Sequence, residues 1–137
     1  MLILALNEIE KIIYEVFSLT KTKNNNCIVI LKGDLASGKT TFVKHFVKYL
    51  NLEDIVTSPT FSIQSIYSEK VFHYDIYNKS LEEFISLGLL EEFEKEGIHF
   101  VEWGDEKLEK LLKSYGFDVF VLEIKKDKDK RQYIINE

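Results

Sequence analysis

The stretch Cys27–Leu50, CIVILKGDLASGKTTFVKHFVKYL, decides the fold. Its first six residues form a short, continuously apolar run rich in β-branched side chains, the pattern of a buried parallel strand. GDLASGKT, Gly33–Thr40, then fills every fixed position of G-x-x-x-x-G-K-[ST]. From Thr40 to Leu50 the apolar residues fall at 42, 43, 46, 47 and 50, which is helical spacing. A strand, a glycine-containing turn and a helix, in that order, are the setting in which this spacing cradles phosphate. A chance match somewhere in such a chain is on the order of one in a few hundred at average residue usage.

The residue types follow from the chemistry of a polyphosphate. Gly33 and Gly38 allow backbone conformations that turn successive N–H groups toward phosphate oxygens. The helix that follows adds its positive N-terminal end. Contacts are expected from Gly33, Ala36, Ser37, Gly38, Lys39, Thr40 and Thr41, with Lys39 at the β- and γ-phosphates, Thr40 in a magnesium shell and Thr41 at the α-phosphate. The implied cofactors are ATP or ADP with Mg2+. Ala36 stands where glycine would be freer, so that position is expected to be in an ordinary backbone conformation.

Working outward, Asn7 and Glu10 have capping-box spacing, and apolar residues at 9, 12, 13, 16 and 17 predict a helix over Glu8–Leu19. IVTSPTF carries the only proline, Pro59, which excludes a central strand there. Strands are expected at Ser62–Tyr67 and Val71–Tyr74 around an SEK turn, then a helix over Ser80–Phe93. A strand at Ile98–Trp103, a helix at Glu106–Lys113 and strands at Val119–Lys126 and Gln132–Ile135 complete the pattern. Alternating strands and helices followed by late hairpins predict an α/β domain. The expected architecture is three-layered, a P-loop fold with a mixed, mostly parallel central sheet.

The 137 residues suffice for a single domain, 1–137. One cysteine, Cys27, no signal-like start and no run near the roughly 18 apolar residues of a membrane span lead to a cytoplasmic expectation. A net charge of −5 argues against independent nucleic-acid binding, and the one basic cluster, KKDKDKR, is interleaved with aspartates. Arg131 is the only arginine beside 17 lysines, and arginine is the usual bidentate phosphate ligand.

Three apolar runs end in an acid, where a magnesium-side carboxylate belongs: VFHYD (Asp75), IHFVE (Glu102) and VFVLE (Glu123). Glu123 lies within a longer strand and reads better as a solvated strand residue. Asp75 and Glu102 are each open between a metal-side role and a capping or loop role on composition alone. His73 reads as a residue that orients neighbours, Trp103 equally as motif or packing, and no zinc site is expected.

The ordered set GDLASGKTTF, TSPTF, HYDIY and VEW resembles the TsaE (YjeE) family, the ATPase component of the bacterial machinery that makes threonylcarbamoyladenosine in tRNA. Its pattern is a GDLGAGKTTF-like loop, an SPTF-like segment, H-x-D-x-Y-R and an E-W pair. These motifs span Gly33 to Trp103, about half the chain. The resemblance implies that Glu102 and Thr40 hold magnesium and that Asp75 orients or deprotonates the attacking water. It places Thr60 in a switch-like loop, Arg131 at the nucleotide, and Asn7 and Glu8 near the adenine. It further implies slow ATP hydrolysis that serves TsaD and TsaB, with tRNA met only through that complex and no membrane. Asn78 replaces the family arginine. Rival readings are a small-metabolite kinase and a nucleotide-gated binding module with little turnover.

Overall fold

The computed structural model describes residues 1–34, 36–57 and 63–137. CIVILK forms a strand over its whole length, but it is the second. A three-residue strand, β1 (Leu2–Leu4), precedes a 3-10 turn (Leu6–Glu8) and α1 (Glu10–Thr22). After β2 (Cys27–Lys32) come α2 (Lys39–Tyr49), β3 (Gln64–Tyr67), β4 (Val71–Asp75), α3 (Leu81–Ser86) and α4 (Leu89–Glu92). The chain continues with β5 (Ile98–Glu102), α5 (Glu106–Ser114), β6 (Val119–Asp127) and β7 (Lys130–Asn136).

The strands form one sheet in the order β1-β7-β6-β2-β5-β4-β3. β6, β2, β5 and β4 pair in parallel, while β7 and β3 run against them on the two flanks. Because β1 is antiparallel to β7, it shares the majority direction. The sheet is therefore mixed and mostly parallel, as expected.

Alternation along β2 divides the core. Val29 and Leu31 pack with Ile12, Ile13 and Val16 of α1 and Phe42 and Phe46 of α2. Ile28 and Ile30 face the other way, onto Phe84, Leu108 and Leu112. Helices cover both faces, giving three layers. Edge-on contacts of Phe42 and Phe46 with Phe100 of β5, at 6.0 and 5.0 Å, hold α2 against the sheet. That seats the helix start above the C-terminal edge of β2 and β5. Among the described residues, no helix is long and apolar enough to cross a membrane.

Local chemistry explains where the expected elements shifted. Asn7 does not cap the first helix. It sits inside the 3-10 turn, and Glu8 accepts from the Ala5 N–H instead, so α1 starts later and runs to Thr22. The expected helix over Ser80–Phe93 divides at Gly88, whose φ of 75° is the left-handed conformation that ends helices. Its start holds: Ser80 accepts from the Glu83 N–H and Glu83 accepts from the Ser80 N–H. The SEK turn has φ of 51° at Ser68 and 58° at Glu69, the twist that suits a tight hairpin.

At the opposite edge of the sheet from the glycine-rich turn, His99 is buried between Tyr74 and the α4–β5 connection. Nδ1 accepts from the Tyr74 hydroxyl at 2.7 Å, and Nε2–H donates to the Lys95 carbonyl at 2.8 Å, the pattern of a neutral ring. Burial lowers its pKa from 6.5 to about 4. The unfolded chain takes up a proton near pH 6.5 that the folded chain refuses until about 4. The stability is thus complete above 6.5 and lost as the pH falls toward 4, an amount of about 3 kcal/mol. In urea titrations at pH 7 and 4.5, His99→Gln is expected to lose about 2 kcal/mol less than the wild type between the two pH values. Equal losses would contradict the neutral buried ring.

Candidate functional site

The glycine-rich turn, the ends of β4 and β5, and the start of β7 meet at one place. In the parallel register Asp75 is the direct partner of Glu102, so both buried carboxylates stand side by side at the C-terminal edge. Thr40, in the first turn of α2, donates its hydroxyl to Glu102 Oε2 at 2.8 Å. A cavity of about 610 Å3 is lined by Ala36 through Thr41, Asp75, Tyr77, Glu102, Trp103 and Arg131. Gly33 lines the adjoining cavity, where Glu123 also lies. Glu123 is part of β6, partly exposed and beside Lys125, as a strand residue.

Lys39 is buried and folded back over the turn. Its Nζ donates to the carbonyls of Gly33 at 2.6 Å and Asp34 at 2.9 Å, and sits 3.9 Å from the centre of the Trp103 ring. Burial lowers its pKa, opposed by Glu102, Asp75 and Asp34 in that order. Trp103 reaches this position through a backbone φ of 69°, unusual for a bulky residue, and its ring tilts against Tyr77 at 4.8 Å. The role of Tyr77 was hidden in the sequence, although it is the last residue of HYDIY.

The turn has the features of an anion cradle. A Cβ on Gly33 would lie 2.6 Å from the Ile124 carbonyl oxygen, and Gly38 has φ of 113°. Ser37 Oγ is buried and, among the described residues, has no hydrogen-bond partner. These are places that backbone approach and an incoming polar group would fill. Among the described residues no three His, Cys, Asp or Glu side chains gather to hold a metal ion unaided. A hydroxyl, a carboxylate and phosphate oxygens are the donor set that suits Mg2+, which keeps few protein ligands.

One expectation changes here, and other residues take on local detail. Ala36 is not in an ordinary conformation: its φ is 59°, because the turn needs a left-handed residue there and a methyl group is tolerated at modest cost. Arg131 donates Nε–H to the Ser37 carbonyl at 2.9 Å, so it grips the turn's backbone from the cavity rim. Asn78 occupies a left-handed position, φ 59°, which asparagine adopts readily. Asn7 and Glu8 do not line the cavity. Thr60, like the rest of 58–62, lies outside the described residues. His73 is fully buried, with Nε2 at 2.5 Å from Glu102 Oε2 and Nδ1 at 3.0 Å from the Tyr67 hydroxyl. Tyr67 carries no motif signal, and only the pairing of β3 with β4 brings it there.

Comparison with known proteins shows what this chain is similar to. The family model described as threonylcarbamoyl adenosine biosynthesis protein TsaE matches residues 6–134. A tRNA threonylcarbamoyladenosine biosynthesis protein TsaE of Bacillus subtilis is 38% identical over 102 residues, 66% of this chain and 64% of that protein. Its namesake from Treponema pallidum is 38% identical over 81 residues, covering 57% and 60% of the two chains. The chain thus spans less than two thirds of the length of these curated relatives. The crystal structure of YdiB from Bacillus subtilis superposes with a TM-score of 0.54 at 29% identity, over 78% of this chain and 65% of that one.

The backbone at position 36 gives a direct test. Ala36→Gly is expected to leave the urea midpoint unchanged or slightly raised, whereas Ala36→Val should destabilise the fold by about 1–2 kcal/mol. A valine variant as stable as the wild type would contradict the left-handed turn.

Proposed function

Because the chain belongs to the TsaE family of threonylcarbamoyladenosine biosynthesis proteins, we propose that it binds Mg-ATP on Gly33–Thr41 and hydrolyses it in support of tRNA modification by TsaD and TsaB. The observation that carries this reading is the bond from Thr40 to Glu102, with Asp75 as the in-register neighbour. With its hydrogen directed at Glu102, the Thr40 oxygen keeps its lone pairs for a cation. ATP supplies the phosphoanhydride to be broken, and Mg2+ neutralises charge on its terminal phosphates.

The protein's own groups do the rest. Backbone N–H groups of the turn and the start of α2 hold the phosphates. Lys39 exchanges the Gly33 and Asp34 carbonyls for phosphate oxygens, a trade of neutral for charged acceptors. Asp75 Oδ1 accepts from the Tyr77 N–H at 3.0 Å, which fixes the carboxylate that orients water and takes up its proton. Trp103 and Tyr77 line the same cavity, with the Trp103 ring against Lys39 and Tyr77. Arg131 holds the turn in shape from β7. Turnover is slow until a partner surface completes the site. The charge of −5 leaves tRNA to the partners.

Hydrolysis measured alone and with TsaD–TsaB tests this. The pair should stimulate turnover strongly, and Asp75→Ala should reduce it by about 100-fold or more while ATP binding is kept within a few-fold. Lys39→Ala should lose nucleotide binding with the fold intact. Undiminished turnover in Asp75→Ala would remove the catalytic assignment. Turnover unaffected by TsaD–TsaB would break the link to that complex.

A further inference from the structure

Glu102 is gripped from both sides. On one side is Thr40, and on the other is His73 of β4, whose ring is wholly buried. Both contacts fall on Oε2, so among the described residues no hydrogen bond falls on Oε1. An ionised carboxylate has no hydrogen to give, so Nε2 carries it and Nδ1 accepts from the Tyr67 hydroxyl at 3.0 Å. The Tyr67 oxygen also lies 3.4 Å from the Thr57 carbonyl. The result is a buried line from the β3 edge through the ring to the end of β5.

We propose that Tyr67 and His73 are positioning residues for magnesium, acting through Glu102: the ring fixes the carboxylate's rotation and Tyr67 fixes the ring. This inference rests on the reading of Glu102 as the magnesium-side carboxylate. A carboxylate on a glutamate has three rotatable bonds and would otherwise sample several orientations. The ring pins Oε2 beside the Thr40 hydroxyl, on a carboxylate that lines the same cavity as Thr40. The ring is not aimed at the reacting phosphate, because both of its nitrogens are occupied. Groups that hold a metal's ligands in this way commonly change metal affinity by 10–100-fold when removed.

The test is calorimetric titration of ADP with and without Mg2+, for wild type, Glu102→Ala, His73→Leu, His73→Gln and Tyr67→Phe. The His73→Leu change is expected to leave metal-free ADP affinity within about twofold while raising the Mg2+ concentration needed for half its effect by about tenfold or more. His73→Gln, whose amide can donate from the place of Nε2, should recover part of that loss. Tyr67→Phe removes one oxygen from the far side of the ring and should give a smaller loss in the same direction. That variant keeps the proposal testable if His73→Leu does not fold. An unchanged Mg2+ requirement in both His73→Leu and Tyr67→Phe, with Glu102→Ala impaired, overturns the positioning role and leaves the function standing. If Glu102→Ala also keeps the wild-type requirement, the magnesium assignment fails and the positioning role falls with it.

Discussion

A carboxylate taken out of water must find replacements for the hydrogen bonds it loses, or its burial costs several kcal/mol. Glu102 is 4% exposed and has those replacements: the Thr40 hydroxyl from one helix and the His73 ring from the next strand. That single oxygen joins the start of α2 to the ends of β4 and β5. The start of the helix after the glycine-rich turn and the carboxylate pair meet there. The core supports the same geometry from below, since Phe42 and Phe46 press α2 onto Phe100, two residues before Glu102.

The strand, turn and helix were legible in the sequence because their requirements are local: a strand, fixed glycines, a lysine and a hydroxyl in one contiguous stretch. The two acids were legible as candidates because each closes an apolar run. Their adjacency was not, since it depends on β4 and β5 being neighbours in register. Tyr67 was invisible for the same reason, with its contact to His73 set by a hairpin. β1 was missed because three apolar residues have too little length to show a period, and it is β7 that makes them a strand. Ala36 misled in a different way. Its methyl group disfavours the left-handed region but does not forbid it, and the turn's geometry decided the matter.

Lys39 and Trp103 make the cradle a site already occupied by its own side chains. The ammonium is shared between two carbonyls and an aromatic face, which keeps a buried charge solvated. Release from those contacts and capture by phosphate are a single exchange, so affinity reflects the difference between the two environments. The departures from the family pattern sit at the margins of this arrangement. Asn78 fills a turn position that suits asparagine, and Ser37 adds a buried hydroxyl beside Gly33.

The most direct measurement is a crystal structure of this chain with Mg2+ and a non-hydrolysable ATP analogue. The cation is expected beside Thr40 Oγ1 and the Glu102 carboxylate, directly or through one water, with Lys39 moved from the Gly33 and Asp34 carbonyls to the terminal phosphates. A triphosphate lying elsewhere, or a cation with no link to either residue, would contradict it.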